Sequence, residues 1–253
     1  LRTGALAGAG AFLAKAGIGK AVAALKPGTT PVIKRFVDPL LAAIPKLTPD
    51  TTTYPGKDFY TIYMAPGRFR FSSQLPVTAP AGVFTTLGYG SGPAFFGYLG
   101  PTIEATKGRP VVVKYINNLP PLHPLNLSID PTVPDPLMYP GLQPGRVTPH
   151  LHGGFTNPNF DGHPHSWWNA SGAQGSHYRT LPGALPGEAI YEYSNDQPAA
   201  MLWYHDHAMG ITRLNAYAGL AALYFIRDGS DTGLASNPLG LPAGPYEIPL
   251  VIQ

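Results

Sequence analysis

Apolar positions along the chain recur in short runs, each rich in β-branched or aromatic residues and closed by turn residues. Such runs occupy residues 58–64, 68–72, 102–106, 111–116, 189–193, 201–205 and 219–226. That pattern predicts strands. Residues 31–53 interleave prolines with apolar residues and read as an extended strap with one short helical turn. Two long stretches, 117–147 and 153–186, are dense in Pro, Gly and Asn. Loops of that length commonly carry function or border a neighbouring domain. From Asp228 the chain turns to small polar and turn residues, a linker, and residues 246–253 (YEIPLVIQ) read as the first strand of another domain. The organisation expected is therefore a segment 1–30, one β domain over 31–229, and a linker with the start of a second domain over 230–253.

Composition narrows the fold class. Gly and Pro each contribute 30 residues, which leaves little room for long helices, because Pro removes a backbone donor and Gly raises the entropic cost of a helix. A hydrophobic content of 44% argues against disorder. An all-β sandwich or barrel fits both facts. The 253 residues suffice for one large β domain, or for one domain and the beginning of a second. A net charge of +3 with no Lys/Arg-rich run gives no reason to expect a nucleic-acid partner. The chain has no cysteine, which excludes a disulfide framework, a thiolate zinc site and a thiol nucleophile. A type 1 copper centre is excluded within the chain for the same reason, since it needs a Cys thiolate.

Residues 1–25 are rich in Ala and Gly and are interrupted by Lys15 and Lys20, which argues against a membrane span. The opening LRTGALAGAGAFLA is similar to the weakly hydrophobic core of a twin-arginine export signal, with Ala21-Val22-Ala23 as a small-residue cleavage site. An amphipathic helix packed on the domain is the other reading. Export is the location expected.

The chemistry lies in two His-x-His pairs, His150-Leu151-His152 and His205-Asp206-His207. Residues two apart on a strand share a face, with Cα atoms roughly 6.5–7 Å apart. Such a pair presents two imidazoles side by side, able to grip one ion or to straddle two. Imidazole suits copper as well as zinc. One pair is a weak signal; two pairs on separate strands of one domain are a strong one. Gly153 and Gly154 allow a tight turn beside the first pair. His163-Pro164-His165 sits in a Pro/Gly loop, where Pro cannot donate to a ladder, and reads as surface. His123 and His177 read as isolated, solvated loop histidines. Met138 and Met209 read as packing residues, and Trp167, Trp168 and Tyr204 as core or domain-interface aromatics.

HLHGG at 150–154 and WYHDHAMGITRLNAYAGL at 203–220 resemble the first two copper motifs of the three-domain multicopper oxidases, in particular the bacterial spore-coat laccase, bilirubin oxidase and phenoxazinone synthase group. The strap at 35–40, the segments at 100–104 and 112–120, Asp161-Gly162 and the closing 248–252 extend the resemblance over about residues 35–253. It implies a Greek-key cupredoxin-like barrel or sandwich, the first of three. It implies that His150 binds a type 2 copper, that His152 and His205 share one type 3 copper, and that His207 binds the other. Asp161 falls where the family has an acidic residue that helps move protons to oxygen; otherwise it is a turn-forming Asp before Gly. The implied reaction is laccase-like: one-electron oxidation of a small aromatic reductant coupled to four-electron reduction of dioxygen to water. The type 1 copper and the remaining ligands would come from C-terminal cupredoxin domains, in this polypeptide or a second fragment. Two other readings remain, a zinc hydrolase and a copper-binding or structural cupredoxin-fold protein without oxidase activity.

Overall fold

The computed structural model describes residues 32–40, 45–74, 86–92, 98–130, 132 and 145–252. The export-signal-like segment 1–30 and Met138 lie outside them. Among the described residues, eight strands and one short helix form the frame: β1 (Asp58–Gly67), β2 (Thr86–Gly90), β3 (Ile103–Thr106), β4 (Val111–Asn117), β5 (Pro149–His152), β6 (Glu188–Tyr193), β7 (Ala200–Asp206), α1 (Thr212–Ala218) and β8 (Ala221–Arg227). Among the described residues no helix is long and apolar enough to cross a membrane.

The strands make two four-stranded sheets, β2-β1-β4-β6 and β3-β8-β7-β5. Each contains one parallel pair, β1 with β4 and β3 with β8, among antiparallel neighbours. The result is a sandwich of two open sheets rather than a closed barrel. Alternate residues feed one core: Tyr60, Ile62 and Met64 from β1, Val111, Val113 and Tyr115 from β4, and Tyr191 and Tyr193 from β6. Leu151, Tyr204, Tyr224 and Ile226 meet them from the other sheet. The tyrosines bury their rings without stranding their hydroxyls at several points. Tyr204 donates to the Pro101 carbonyl (2.7 Å), Tyr224 donates to Asn195 Oδ1 (2.6 Å), and Tyr115 and Tyr193 bond each other (3.1 Å).

Six of the seven strands expected of the first domain form. The exception is 68–72, where the Arg70 side chain donates to the carbonyls of Ser72 and Ser73 and folds the chain into a bend. Arg70 belongs to a small unit, Leu1–Pro39 with Arg70–Val83, in which Ser73 N donates to Asp38 and Lys34 N to Gln74. The second unit, Leu40–Phe69 with Phe84–Gln253, contains the sandwich. In its C-terminal part, Gly244–Tyr246 is a 3-10 turn and residues 247–252 pair with neither sheet. A strand needs a neighbour's ladder, and the described sheets offer none there.

Candidate metal centre

The two histidine pairs meet because β5 lies antiparallel beside β7 at the edge of the second sheet. Their register sets His150 opposite His205 and His152 opposite Trp203. Leu151 and Tyr204 point into the core, so the pleat turns His150, His152 and His205 to the opposite, outer face. His207 follows just past the end of β7, where its backbone N donates to the Thr148 carbonyl (2.9 Å). The ring of His150 lies 5.5 Å from those of His152 and His205 and 5.0 Å from that of His207. One ligand atom from each of His150, His152 and His205 falls within 4.8 Å of the others. All four sequence-predicted ligands are thus brought together.

Their orientation is fixed from behind. His150 Nδ1 donates to the Asp161 carbonyl (2.5 Å), His207 Nδ1 to the Gly162 carbonyl (3.0 Å) and His205 Nδ1 to the Asp206 carbonyl (2.7 Å). A donor at Nδ1 fixes the tautomer and leaves the Nε2 lone pair for a metal, as is common among metal-binding histidines. His152 is oriented differently: its Nδ1 faces His205 Nε2 at 3.2 Å. Burial pushes the His205 pKa down to about 4, and burial also lowers that of His207, so both rings stay neutral as ligands must be. Trp203 stacks on His205 at 4.0 Å and on His152 at 5.2 Å.

The loop that receives these bonds depends on glycine. Gly162 has φ +74°, and a Cβ there would overlap the carbonyl oxygen of Pro149 in β5. Gly153, at φ +88°, turns the chain after His152 as expected. Gln197 braces that turn, accepting from Phe155 N (2.6 Å) and donating to the Gly153 carbonyl (3.0 Å). The Asp161 carboxylate is half-exposed, with Oδ1 3.3 Å from His150 Nδ1.

No family model matches the chain. A laccase from Bacillus stratosphericus is 35% identical over 226 residues, 87% of this chain and 38% of that protein. A multicopper oxidase from Oryza sativa subsp. japonica is 38% identical over 192 residues, 76% of this chain and 29% of that protein. The crystal structure of a laccase from Pediococcus acidilactici superposes with a TM-score of 0.51 at 25% identity, covering 83% of this chain and 34% of that one. This chain is of the multicopper oxidase family. It spans well under half the length of these relatives, and its sandwich has the cupredoxin fold of the family.

Within that multicopper oxidase frame, several residues matter that the sequence did not single out. Asp206, between two candidate ligands, is wholly buried and accepts from Thr148 N (2.8 Å), Ala208 N (3.0 Å) and Asn215 Nδ2 (2.8 Å). Burial pushes its pKa up to about 6 against those bonds. Asn215, from α1, also donates to the Arg146 carbonyl and bonds His123 Nε2 (2.9 Å). His123 is therefore buried and fully bonded, not solvated: Leu125 N donates to its Nδ1 (2.9 Å), so Nε2–H donates to Asn215. His177 is not isolated either, since its ring stacks on that of His163 at 4.7 Å. Trp167, Trp168 and Tyr204 are buried. The one signal in the sequence for Asn215 and His123 was their place among apolar residues, which does not separate a buried polar group from an exposed one.

Proposed function

We propose that this chain supplies one wall of the trinuclear copper site of a laccase-like multicopper oxidase, which couples one-electron oxidation of phenolic or similar organic substrates to four-electron reduction of dioxygen to water. The observation that carries the reading is the facing pair His152 Nδ1 and His205 Nε2 at 3.2 Å. Two nitrogens bound at about 2.0 Å to one tetrahedral ion stand about 3.3 Å apart. The pair is spaced to share one ion, as the type 3 assignment requires. His150 and His207, whose rings lie 5.0 Å apart, each keep Nε2 free, and the proposal gives His150 to type 2 copper and His207 to the second type 3 copper. An all-imidazole, carboxylate-free donor set favours copper over harder cations. Copper, when bound, supplies the one-electron couple for oxygen reduction.

The chain's own residues do the rest. The carbonyls of Asp161, Gly162 and Asp206 hold three rings in one tautomer, and Trp203 stacks on His205 and His152. The Asp161 carboxylate, next to His150 and open to solvent, is placed to hold a proton and pass it inward. Type 1 copper, the other four histidines and the substrate site would lie on C-terminal cupredoxin domains. Export by the twin-arginine route belongs to the proposal and rests on the composition of residues 1–30.

Electron paramagnetic resonance of the copper-loaded protein, assembled with its C-terminal cupredoxin portion, tests the assignment. A type 2 signal is expected, and His150→Ala should remove it while the near-ultraviolet type 3 absorption shoulder is weakened less. A type 2 signal unchanged in His150→Ala refutes the ligand set.

A further inference from the structure

Beside the candidate copper wall the structure holds a second group of three histidines. His163 and His165 come from the loop that follows Asp161, and His177 from the return of the same loop. Their ring centroids are 4.7 Å (His163 to His177), 5.3 Å (His163 to His165) and 5.7 Å (His165 to His177) apart. The four rings of the first cluster show separations of 5.0–5.9 Å. Three imidazoles held at about 2 Å from one tetrahedral ion have centroids about 5 Å apart. The centroid spacing matches that of three imidazoles round a single ion, but their ring nitrogens do not all lie within 4.8 Å of one another, so rings must turn to bring them to one centre.

The backbone beneath the rings is already braced. His177 N donates to the His165 carbonyl (3.1 Å), Ser166 Oγ donates to the His177 carbonyl (2.8 Å), and Gly175 N donates to the Trp167 carbonyl (2.7 Å). These bonds hold the outgoing and returning arms of the loop at one separation, so convergence on an ion takes side-chain rotation and no rearrangement of the backbone. His163 and His177 are exposed and His165 is half-buried, which leaves the centre open to an ion from solvent. His177 Nδ1 lies 2.9 Å from Ser176 Oγ, a partner that can orient the ring with Nε2 toward the ion. His163 must turn, because its Nδ1 now accepts from His165 N (3.1 Å). An exposed ring turns about its Cβ–Cγ bond without repacking a core.

We propose that His163, His165 and His177 form an accessory site for one late first-row divalent cation, copper(II) before zinc(II), separate from the copper wall on β5 and β7. Neutral imidazoles with no carboxylate or thiolate among them select this class, and copper(II) leads it in affinity. The site has a structural consequence. Asp161 and Gly162, whose carbonyls orient His150 and His207, lead directly into His163, and the Pro164 carbonyl accepts from Met209 N (3.1 Å). An ion tying His163 and His165 to His177 clamps the loop that aims two of the candidate ligands.

Metal content after copper loading and dialysis tests this. The protein should hold one copper equivalent more than a His163→Ala/His177→Ala variant, and a nitrogen-coordinated cupric resonance should vanish with it. Equal stoichiometry in the two proteins overturns the proposal. Zinc(II) titration gives a second reading: each single His→Ala change at 163, 165 or 177 should weaken binding at least tenfold, and unchanged affinity in all three overturns it. Circular dichroism of the metal-free variants checks that the fold is kept; should the double variant unfold, the single changes decide. The extra equivalent should persist in His150→Ala, so failure of the copper-wall assignment and failure of this site are told apart.

Discussion

Asp206 is the residue on which the β7 pair turns. Its carboxylate is buried between His205 and His207, and three donors from three parts of the chain meet it. Removing one of them leaves a buried acceptor short of a partner, which costs the desolvation of that group. Asn215→Leu should therefore destabilise the protein by roughly 2–3 kcal/mol in urea unfolding, since it strands both Asp206 and His123. A loss below the error of the measurement would contradict the network. His123 adds a pH dependence with a definite sign. Burial lowers its folded pKa, so below the unfolded value of about 6.5 the unfolded chain takes up a proton that the folded chain refuses. Its contribution is fully present above that pH and is lost as the pH falls. His123→Gln, which keeps the bond to Asn215, should flatten the decline in stability between pH 7 and pH 5, as read from urea midpoints across that range. At this scale the four paired histidines were legible because spacing alone puts them on one strand face. His123 and His177 were not, because their partners, Asn215 and His163, are set by the packing of α1 and by the return of a loop.

The working unit among the elements is the β5–β7 edge with the 153–162 loop folded behind it. The loop carries the carbonyls that receive His150 and His207, and Gly162 lets it approach β5 at closest range. Gly162→Ala forces an L side chain into the left-handed region, a strain of roughly 1 kcal/mol or more, and also drives a methyl into Pro149. The loop must move away, taking both carbonyls with it. The expected result is a variant with native-like circular dichroism but clearly less bound copper per chain; full copper occupancy would show that the loop does not aim the rings. Strand runs with β-branched and aromatic residues were readable in advance, and six formed where expected. β2 was not, because Thr86–Gly90 alternates Gly with Leu and Tyr and looks like a turn until β1 pairs with it. The segment 68–72 has strand-like composition but folds on its own arginine. Helix α1 was hidden for the opposite reason: it is one short element, Thr212–Ala218, inside a motif read for its histidines.

For the whole molecule the decisive fact is that the histidines face outward. Met201 and Trp203 share that outer face of β7, and both are exposed. Large apolar side chains left open around a candidate metal wall mark a surface made to be covered. A cluster with imidazoles on one side only offers each ion too few ligands and leaves it open to water, and a chain without cysteine has no type 1 centre through which substrate electrons could enter. The 253-residue chain by itself should therefore take up copper with weak affinity and consume no oxygen with a phenolic reductant, measured by oxygen electrode after copper loading. Supplying a C-terminal cupredoxin segment with a His-Cys-His motif should restore oxygen uptake and shield Trp203, seen as a blue shift of its fluorescence. Oxygen consumption by the chain alone would mean that this face needs no opposing wall, and the division of the site between two parts of the protein would have to be abandoned.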